Sequence, residues 1–207
     1  MNKMKNLKFA MMALLSLLMV VTSCKKDEET PAETPDNDVT LSRKTSYGND
    51  WIYYSLKDHK EVDSTDHLTS LTWDIAFNRY NIRTNSGLSG NGQGGAYDAG
   101  LVDFNSVIMA QESGYIVDDI IQIVAAFTGQ GVDWMTSTGN DVFKDCIIRE
   151  NSNAGPSYTP NNHIYVIKTT DGKYAKIWIK NYYNAEGNPG FITFEYFYQS
   201  SGSRDLK

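Results

Sequence analysis

The segment Thr169-Thr-Asp-Gly-Lys173 stands between two runs that alternate apolar and polar residues, His163-Ile-Tyr-Val-Ile-Lys168 and Tyr174-Ala-Lys-Ile-Trp-Ile-Lys180. Alternation with a period of two marks a strand that buries one face. An Asp-Gly pair between two such runs reverses the chain, because glycine takes positive φ at little cost. A type I′ turn is expected at Asp171-Gly172. A second turn, Asn184-Ala-Glu-Gly-Asn-Pro-Gly190, leads into a third run, Phe191-Ile-Thr-Phe-Glu-Tyr-Phe-Tyr198. The C-terminal part is therefore expected to form a three-stranded antiparallel meander.

The same period recurs earlier. Trp51-Ile-Tyr-Tyr-Ser-Leu56 reads as a first strand. In Leu71-Thr-Trp-Asp-Ile-Ala-Phe77 the residues Leu71, Trp73, Ile75 and Phe77 alternate with Thr72, Asp74 and Ala76, which predicts a half-buried strand. Tyr80 to Arg83 continues it after a bend. Residues 85–100 form a Gly-rich loop, and 107–109 are a short apolar piece. Residues 116–127 are ambiguous: Ile116, Ile120, Ile123 and Phe127 suit a helix, while β-branched residues suit a strand, so strand or a short helix is expected. Gly, Asn, Ser and Thr punctuate an aromatic-rich chain with few helical patterns. The fold class is all-β, a single antiparallel β-rich domain over residues 41–199, with a frayed tail over 200–207.

The chain begins with an export signal. Lys3, Lys5 and Lys8 form a basic start, residues 9–21 are uncharged and apolar, and Val21-Thr-Ser-Cys24 follows. The apolar run is short for a membrane span. The Cys after Val-Thr-Ser resembles a lipobox, which makes residues 1–23 a lipoprotein signal peptide and Cys24 an acylated mature N-terminus. An ordinary signal peptide with an incidental Cys is the alternative. Residues 25–38 hold many charges, two prolines and no large apolar side chain. Such a stretch buries too little surface to offset its ordering entropy, so 24–40 is expected to be the lipid attachment and a disordered spacer. The acidic Asp27-Glu28-Glu29 resembles the export signal of surface-exposed lipoproteins in the Bacteroidetes. The expected location is the outer membrane, facing outward, with the membrane reached through the lipid.

About 160 residues remain after the spacer, enough for one domain with a sizeable core. The formal charge of −6 gives no electrostatic case for nucleic acid. Cys146 is the only cysteine besides Cys24, so the domain holds no internal disulfide; Cys146 is expected to be a small buried residue in a strand.

Enzyme chemistry finds little support. Gly90-Asn-Gly-Gln-Gly-Gly95 spells G-x-G-x-x-G, but a dinucleotide site needs a helix opening at the loop, and Ala96-Tyr-Asp-Ala-Gly100 is no helix start. The glycines are better read as allowing a tight loop beside Arg79 and Arg83. His59, His67 and His163 are scattered, without metal-ligand spacing or a Gly-x-Ser-x-Gly partner motif. Asp118, Asp119 and Asp141 make no case for a carboxylate pair. The protein is expected not to be an enzyme.

One long block carries a resemblance. Trp73-Asp-Ile-Ala-Phe-Asn-Arg-Tyr-Asn-Ile-Arg-Thr-Asn-Ser-Gly-Leu-Ser-Gly-Asn-Gly-Gln-Gly-Gly-Ala96, with Ala154-Gly-Pro-Ser-Tyr158, Asp171-Gly-Lys-Tyr-Ala-Lys-Ile177 and Gly190-Phe-Ile-Thr-Phe-Glu-Tyr196, resembles the HmuY family of Bacteroidetes lipoproteins over nearly the whole mature domain. The resemblance implies an all-β, haemophore-like protein that binds haem or a related porphyrin and passes it to a TonB-dependent outer-membrane receptor for iron acquisition. The founding member holds the iron between two histidines from neighbouring loops, and relatives use methionine. The loop matching the first ligand is Gly129-Gln-Gly-Val-Asp-Trp-Met135, which offers Met135 as a soft axial ligand and Trp134 as a pocket wall, with Phe127 beside it. The loop matching the second, Arg149-Glu-Asn-Ser-Asn153, has neither His nor Met. His163 and Met109 are weaker candidates, and Met109 reads better as core. The other reading is a lipid-anchored interaction module that binds a protein or glycan without haem, presenting Trp178, Tyr182, Tyr183 and Tyr196 as a flat face.

Overall fold

The alternating run at 189–199 becomes the longest strand of the protein. In the computed structural model, which describes residues 38–63 and 65–207, it is β13 (Pro189–Gln199). The export segment, Cys24 and the spacer up to residue 37 lie outside the described residues. β13 pairs antiparallel with β12 (Tyr174–Tyr183), and β12 with β11 (Ile164–Lys168), giving the expected meander. β1 (Val39–Thr40) and β6 (Gly95–Gly100) complete a five-stranded sheet in the order β1-β13-β12-β11-β6. A four-stranded sheet holds β3 (Lys60–Val62), β2 (Ile52–Ser55), β4 (Ile75–Asn78) and β5 (Asn81–Thr84), in that order. Two further hairpins stand apart: β7 (Asp119–Thr128) with β8 (Gly131–Gly139), and β9 (Ile147–Ser152) with β10 (Gly155–Pro160).

The main core lies between the two larger sheets. Ile192, Phe194 and Tyr196 alternate inward along β13 and meet Ile52, Tyr54, Ile75 and Phe77. Phe194 stacks on Phe77 at 5.2 Å between centroids and meets Tyr54 edge-on at 5.4 Å. Each such side chain contributes roughly 1.5–3 kcal/mol of burial. The outer face of each sheet is covered too. Ala110, Val166 and Leu206 pack against the five-stranded sheet, while Trp51, Tyr53, Trp73 and Ala76 form a layer outside the four-stranded one. Lys176 is buried in the first of these layers. Its Nζ donates to the carbonyls of Phe104 and Val107 at 2.9 and 3.1 Å and lies 4.5 Å from the Phe104 ring. Desolvation lowers its pKa from the ordinary lysine value.

Double-sided cover corrects several expectations. The strand expected over 71–77 begins only at Ile75; Leu71 is 59% exposed, and Asp74, expected to face water, is buried. Its carboxylate accepts from the backbone N–H of Leu56 at 2.9 Å and of Thr170 at 3.0 Å, which holds it in the interior. Burial raises its pKa, and these N–H groups oppose the rise. Residues 81–84 do not continue the strand. They fold back on it as a hairpin with Asn78 opposite Asn81, and Arg79 takes φ 53° in the turn. The Asp171-Gly172 turn is also of another type. Gly172 N–H donates to the Thr169 carbonyl at 2.9 Å, and Gly172 takes φ 79° while Asp171 does not turn positive. That is a type I turn followed by a left-handed glycine, not a type I′ turn.

The Gly-rich loop closes on Asn85. The Asn85 side chain donates to the carbonyls of Ser70 and Trp73, each at 2.9 Å, and accepts from Gly92 N–H at 3.0 Å. A Cβ on Gly90 would stand 2.2 Å from Asn85 Oδ1, and one on Gly94 2.6 Å from the Asn85 carbonyl. The glycines are there because the loop wraps an amide. The chain then enters β6, so no helix opens at this loop.

Residues 200–207 do not fray. Leu206 is fully buried, its N–H donates to the Ile108 carbonyl at 2.9 Å, and Arg204 pairs with Glu112 at 2.8 Å. Met109 lies beside this segment, bridged to Asp205, and is 55% exposed rather than core. Cys146 is buried as expected, just ahead of β9. Burial pushes its thiol up to about 12.

Candidate functional site

The ambiguous stretch 116–127 resolves as strand because it has a partner. β7 and β8 pair from Asp119 opposite Gly139 to Thr128 opposite Gly131, with a bulge between Val124 and Ala126. β-branched residues suit this ribbon, and the helical spacing of its isoleucines is incidental.

Two buried charged groups fasten the hairpin to the domain. At the start of β7 the Asp118 carboxylate accepts from the Thr84 N–H at 3.0 Å, the Thr84 hydroxyl at 2.6 Å and the Asn140 amide at 2.9 Å. Burial raises its pKa, and these hydrogen bonds oppose the rise. On the other strand Arg83 donates to the Thr138 carbonyl at 2.9 Å, the Ser137 hydroxyl at 3.1 Å and the Tyr53 hydroxyl at 3.1 Å. Its guanidinium lies 3.8 Å above the Trp51 ring, and desolvation lowers its pKa.

Burial alternates along the ribbon. Ile123, Ser137 and Gly139 are buried and Ile121 and Met135 half-buried, so these odd positions share the more covered face; Ile120, Gln122, Trp134 and Thr136, on the other face, are exposed. Ile120 is 62% exposed, Trp134 60% and Phe127 53%. A cleft of about 380 Å³ opens where the hairpin meets the domain. Ile120, Ile121, Ile123, Val124 and Trp134 form one wall, and Tyr80, Ile82, Phe143 and Lys144 stand on the other. Volume and lining fall within the range of small-molecule sites.

The expected site residues separate. Trp134 is on the cleft wall. Met135 is its neighbour in β8 and projects to the opposite face of the strand. Its strand partner Ile123 lines the cleft, and its Sδ sits against Gly48, 3.9 Å from where a Cβ there would be. Phe127 packs edge-on against Tyr47 at 4.9 Å. His163 is elsewhere, at the start of the meander, with Nδ1 2.9 Å from Asp98 Oδ2. The loop expected to carry a second ligand, residues 149–153, is instead mostly strand: Arg149 to Ser152 pair with Tyr158 to Gly155 in the β9–β10 hairpin, and only Asn153 is in its turn. Of the proposed flat aromatic face, Tyr182 and Tyr196 are buried in the core.

Sequence reasoning missed Tyr80, Phe143 and the isoleucines of β7. A signal existed: Ile120-Ile-Gln-Ile-Val-Ala-Ala-Phe127 is apolar on both faces of a strand, more than a two-stranded ribbon can bury. Beside the cleft, Tyr80, Tyr158 and Tyr182 form a ring cluster, with Tyr158 and Tyr182 4.9 Å apart. Burial raises the Tyr80 pKa, with Tyr158 adding to the rise and the charges of Arg79 and Arg149 opposing it.

Among the described residues no group of three or more His, Cys, Asp or Glu side chains is placed to hold a bare metal ion. A tetrapyrrole makes a different demand, needing apolar walls and one or two soft or nitrogen ligands. The isoleucines and Trp134 meet the first part. For the second, Met135 is the thioether carried by the hairpin itself, and the cleft wall holds no His, Met or Cys.

No curated protein matches the chain. Among solved structures, a Bacteroides vulgatus protein assigned as HmuY-like and haem-binding is 27% identical, with a TM-score of 0.59 covering 78% of this chain and 91% of that one. A Bacteroides fragilis protein assigned as a lipoprotein is 22% identical, with a TM-score of 0.60 over 79% and 90%. The apo HmuY analogue of Tannerella forsythia is 20% identical, with a TM-score of 0.60 over 77% and 93%. The last two speak to the fold alone. The family model described as HmuY protein matches residues 47–196, more than half of the chain and all four sequence blocks, and the protein belongs to the HmuY family.

Proposed function

We propose that the protein is a lipid-anchored outer-membrane protein, facing the cell exterior, that binds haem or a related porphyrin at the β7–β8 hairpin and passes it to a TonB-dependent receptor. The observation that carries this reading is the hairpin's unspent apolar surface. Ile120 and Trp134, both on the cleft wall, and Phe127, further along the same hairpin, are each more than half exposed on a ribbon fastened by buried Arg83 and Asp118. Exposed apolar side chains gathered at a cleft mark a binding site rather than chance exposure. Family membership and the haem-binding assignment of the Bacteroides vulgatus relative supply the ligand class. Bound haem would supply the iron to be carried; the chain's own part would be to enclose the ring in apolar walls, and Met135, on the other face of β8 from Trp134, would be the residue to hold the iron. The lipid anchor at Cys24, with the signal peptide before it and the spacer after it, belongs to the same proposal.

Titrating the mature protein with haemin tests the reading. A shifted Soret band at one equivalent is the expected result, and an unshifted band in both oxidised and reduced protein would sink it. Met135→Ala is expected to change the reduced spectrum; an unchanged spectrum removes Met135 as ligand.

One observation favours the second reading, an interaction module without haem: the cleft wall carries no His, Met or Cys. Binding of a receptor or glycan by protein that fails the haemin titration would favour it.

A further inference from the structure

A second apolar surface adjoins the cleft. Where β7 begins, a depression of about 670 Å³ lies between residues 115–121 and the loop at Gly87 and Leu88. Four large aliphatic side chains line it. Leu88, Val117 and Ile120 are more than half exposed, and Ile116 is about half exposed. One such side chain in water is ordinary. Four gathered at one place, rimmed by polar groups, mark an interaction surface.

The backbone there is fixed, so the surface exists before any partner arrives. Leu88 N–H donates to the Asp118 carbonyl at 3.0 Å, and Ile116 exchanges two backbone hydrogen bonds with Ala96, at 2.8 and 2.9 Å. A Cβ on Gly87 would collide with the Asp118 carbonyl, so glycine is what lets the loop close on β7.

Charge narrows the choice of occupant. Among the described residues no Lys or Arg lines the depression, and its charged side chains are Asp118, Asp119 and Asp141. Asp118 is buried and bonded to Thr84 and Asn140. Asp119 and Asp141 are exposed, and among the described residues neither is in an ion pair. A second copy of this chain, docked by two-fold symmetry, would bring like carboxylates together. An anionic membrane surface would be repelled by them. Basic side chains beside an apolar knob suit both parts of the surface.

We propose that this surface docks a protein segment that presents aliphatic side chains flanked by Lys or Arg. The docking site stands independently of porphyrin binding. Ile120, Ile121 and Asp141 line both the depression and the cleft, so a partner seated here touches the cleft wall.

The test titrates the full mature protein into fluorescein-labelled Leu-Lys-Leu-Lys-Leu-Lys-Leu, and into the same peptide with Glu in place of Lys, read by fluorescence anisotropy. The lysine peptide is expected to bind about tenfold more tightly than the glutamate peptide, and to weaken about fivefold between about 0.05 and about 0.5 M salt. The exposed pair Leu88→Ser with Val117→Ser is expected to weaken its binding about tenfold, and Asp119→Asn with Asp141→Asn about fivefold. Unchanged thermal melts would show that both double variants fold. No binding of the lysine peptide, equal binding of the two peptides, or full binding by the Leu88→Ser, Val117→Ser variant overturns the proposal. Dimerisation in sedimentation velocity that this variant abolishes overturns it in favour of a second copy. Flotation with phosphatidylglycerol vesicles that the variant abolishes overturns it in favour of a membrane.

Discussion

The β13 strand and the β7–β8 hairpin contain similar residues and use them in opposite ways. Along β13, Ile192, Phe194 and Tyr196 are each within a few per cent of complete burial. Along the hairpin, Ile120, Phe127 and Trp134 remain mostly in water. The difference comes from cover. β13 lies between two neighbours and under a second sheet, whereas β7 and β8 have only each other. A two-stranded ribbon cannot bury two apolar faces, so what the hairpin leaves exposed is available to a ligand. Stability therefore resides in the sheets, and binding resides in the part they do not cover.

Substitution on each side separates the two. Phe194→Ala removes a ring packed against Phe77 and Tyr54 and is expected to cost about 3–5 kcal/mol in denaturant unfolding. Arg83→Ala leaves the Ser137 and Tyr53 hydroxyls and the Thr138 carbonyl without their shared donor, at an expected cost of about 2–4 kcal/mol. Hydrogen exchange would show where that cost falls: amides of β8 should exchange faster while those of β12 and β13 stay protected. Uniform acceleration would mean that hairpin and sheets unfold together, and the contrast drawn above would fail. Trp134→Ala is expected to change stability by no more than about 0.5 kcal/mol and to weaken haemin binding about tenfold. A large stability loss would make Trp134 a packing residue.

The smallest effect concerns pH. Burial raises the folded-state pKa of both Asp74 and Asp118 above the ordinary value of 3.8. A raised carboxylate contributes stability that is fully present below its unfolded pKa and is lost as pH rises through the folded value. Thermal melts from pH 3.8 upward should therefore show wild type losing stability relative to Asp74→Asn and Asp118→Asn. In Asp118→Asn, hydrogen exchange should quicken first in the hairpin; in Asp74→Asn, it should quicken in the sheets.

The meander was legible because only its alternation and one Asp-Gly pair were needed. The strand at 75–78 was harder, since Asp74 and Ala76 are polar or small yet lie under a second layer led by Trp73. Period-two reasoning assumes one wet face, and here neither face is wet. The tail was misjudged because a single residue, Leu206, docks a polar segment. At the site, the sequence singled out Trp134 and Met135 as neighbours in one loop. Pairing made that loop a strand, and a strand sends adjacent side chains to opposite faces. Tyr80 sat in plain view inside the longest family block, but nothing local marks it as a cleft wall. That role arises from residues far away in sequence.

The short β1 has a mechanical consequence. It lies at the edge of the five-stranded sheet and pairs with β13 only through Val39 and Thr40, with the Asp38–Lys180 ion pair beside it. A pull on the chain ahead of Val39 loads those few links first, and then the buried Leu41, whose N–H is bonded to the Ile192 carbonyl at 3.0 Å. The β11–β12–β13 ladder stands behind them. Under tension from that end, the domain gives way at its rim in small steps while the hairpin, tied to the other sheet by Arg83 of β5 and by Asp118 at the start of β7, keeps its shape.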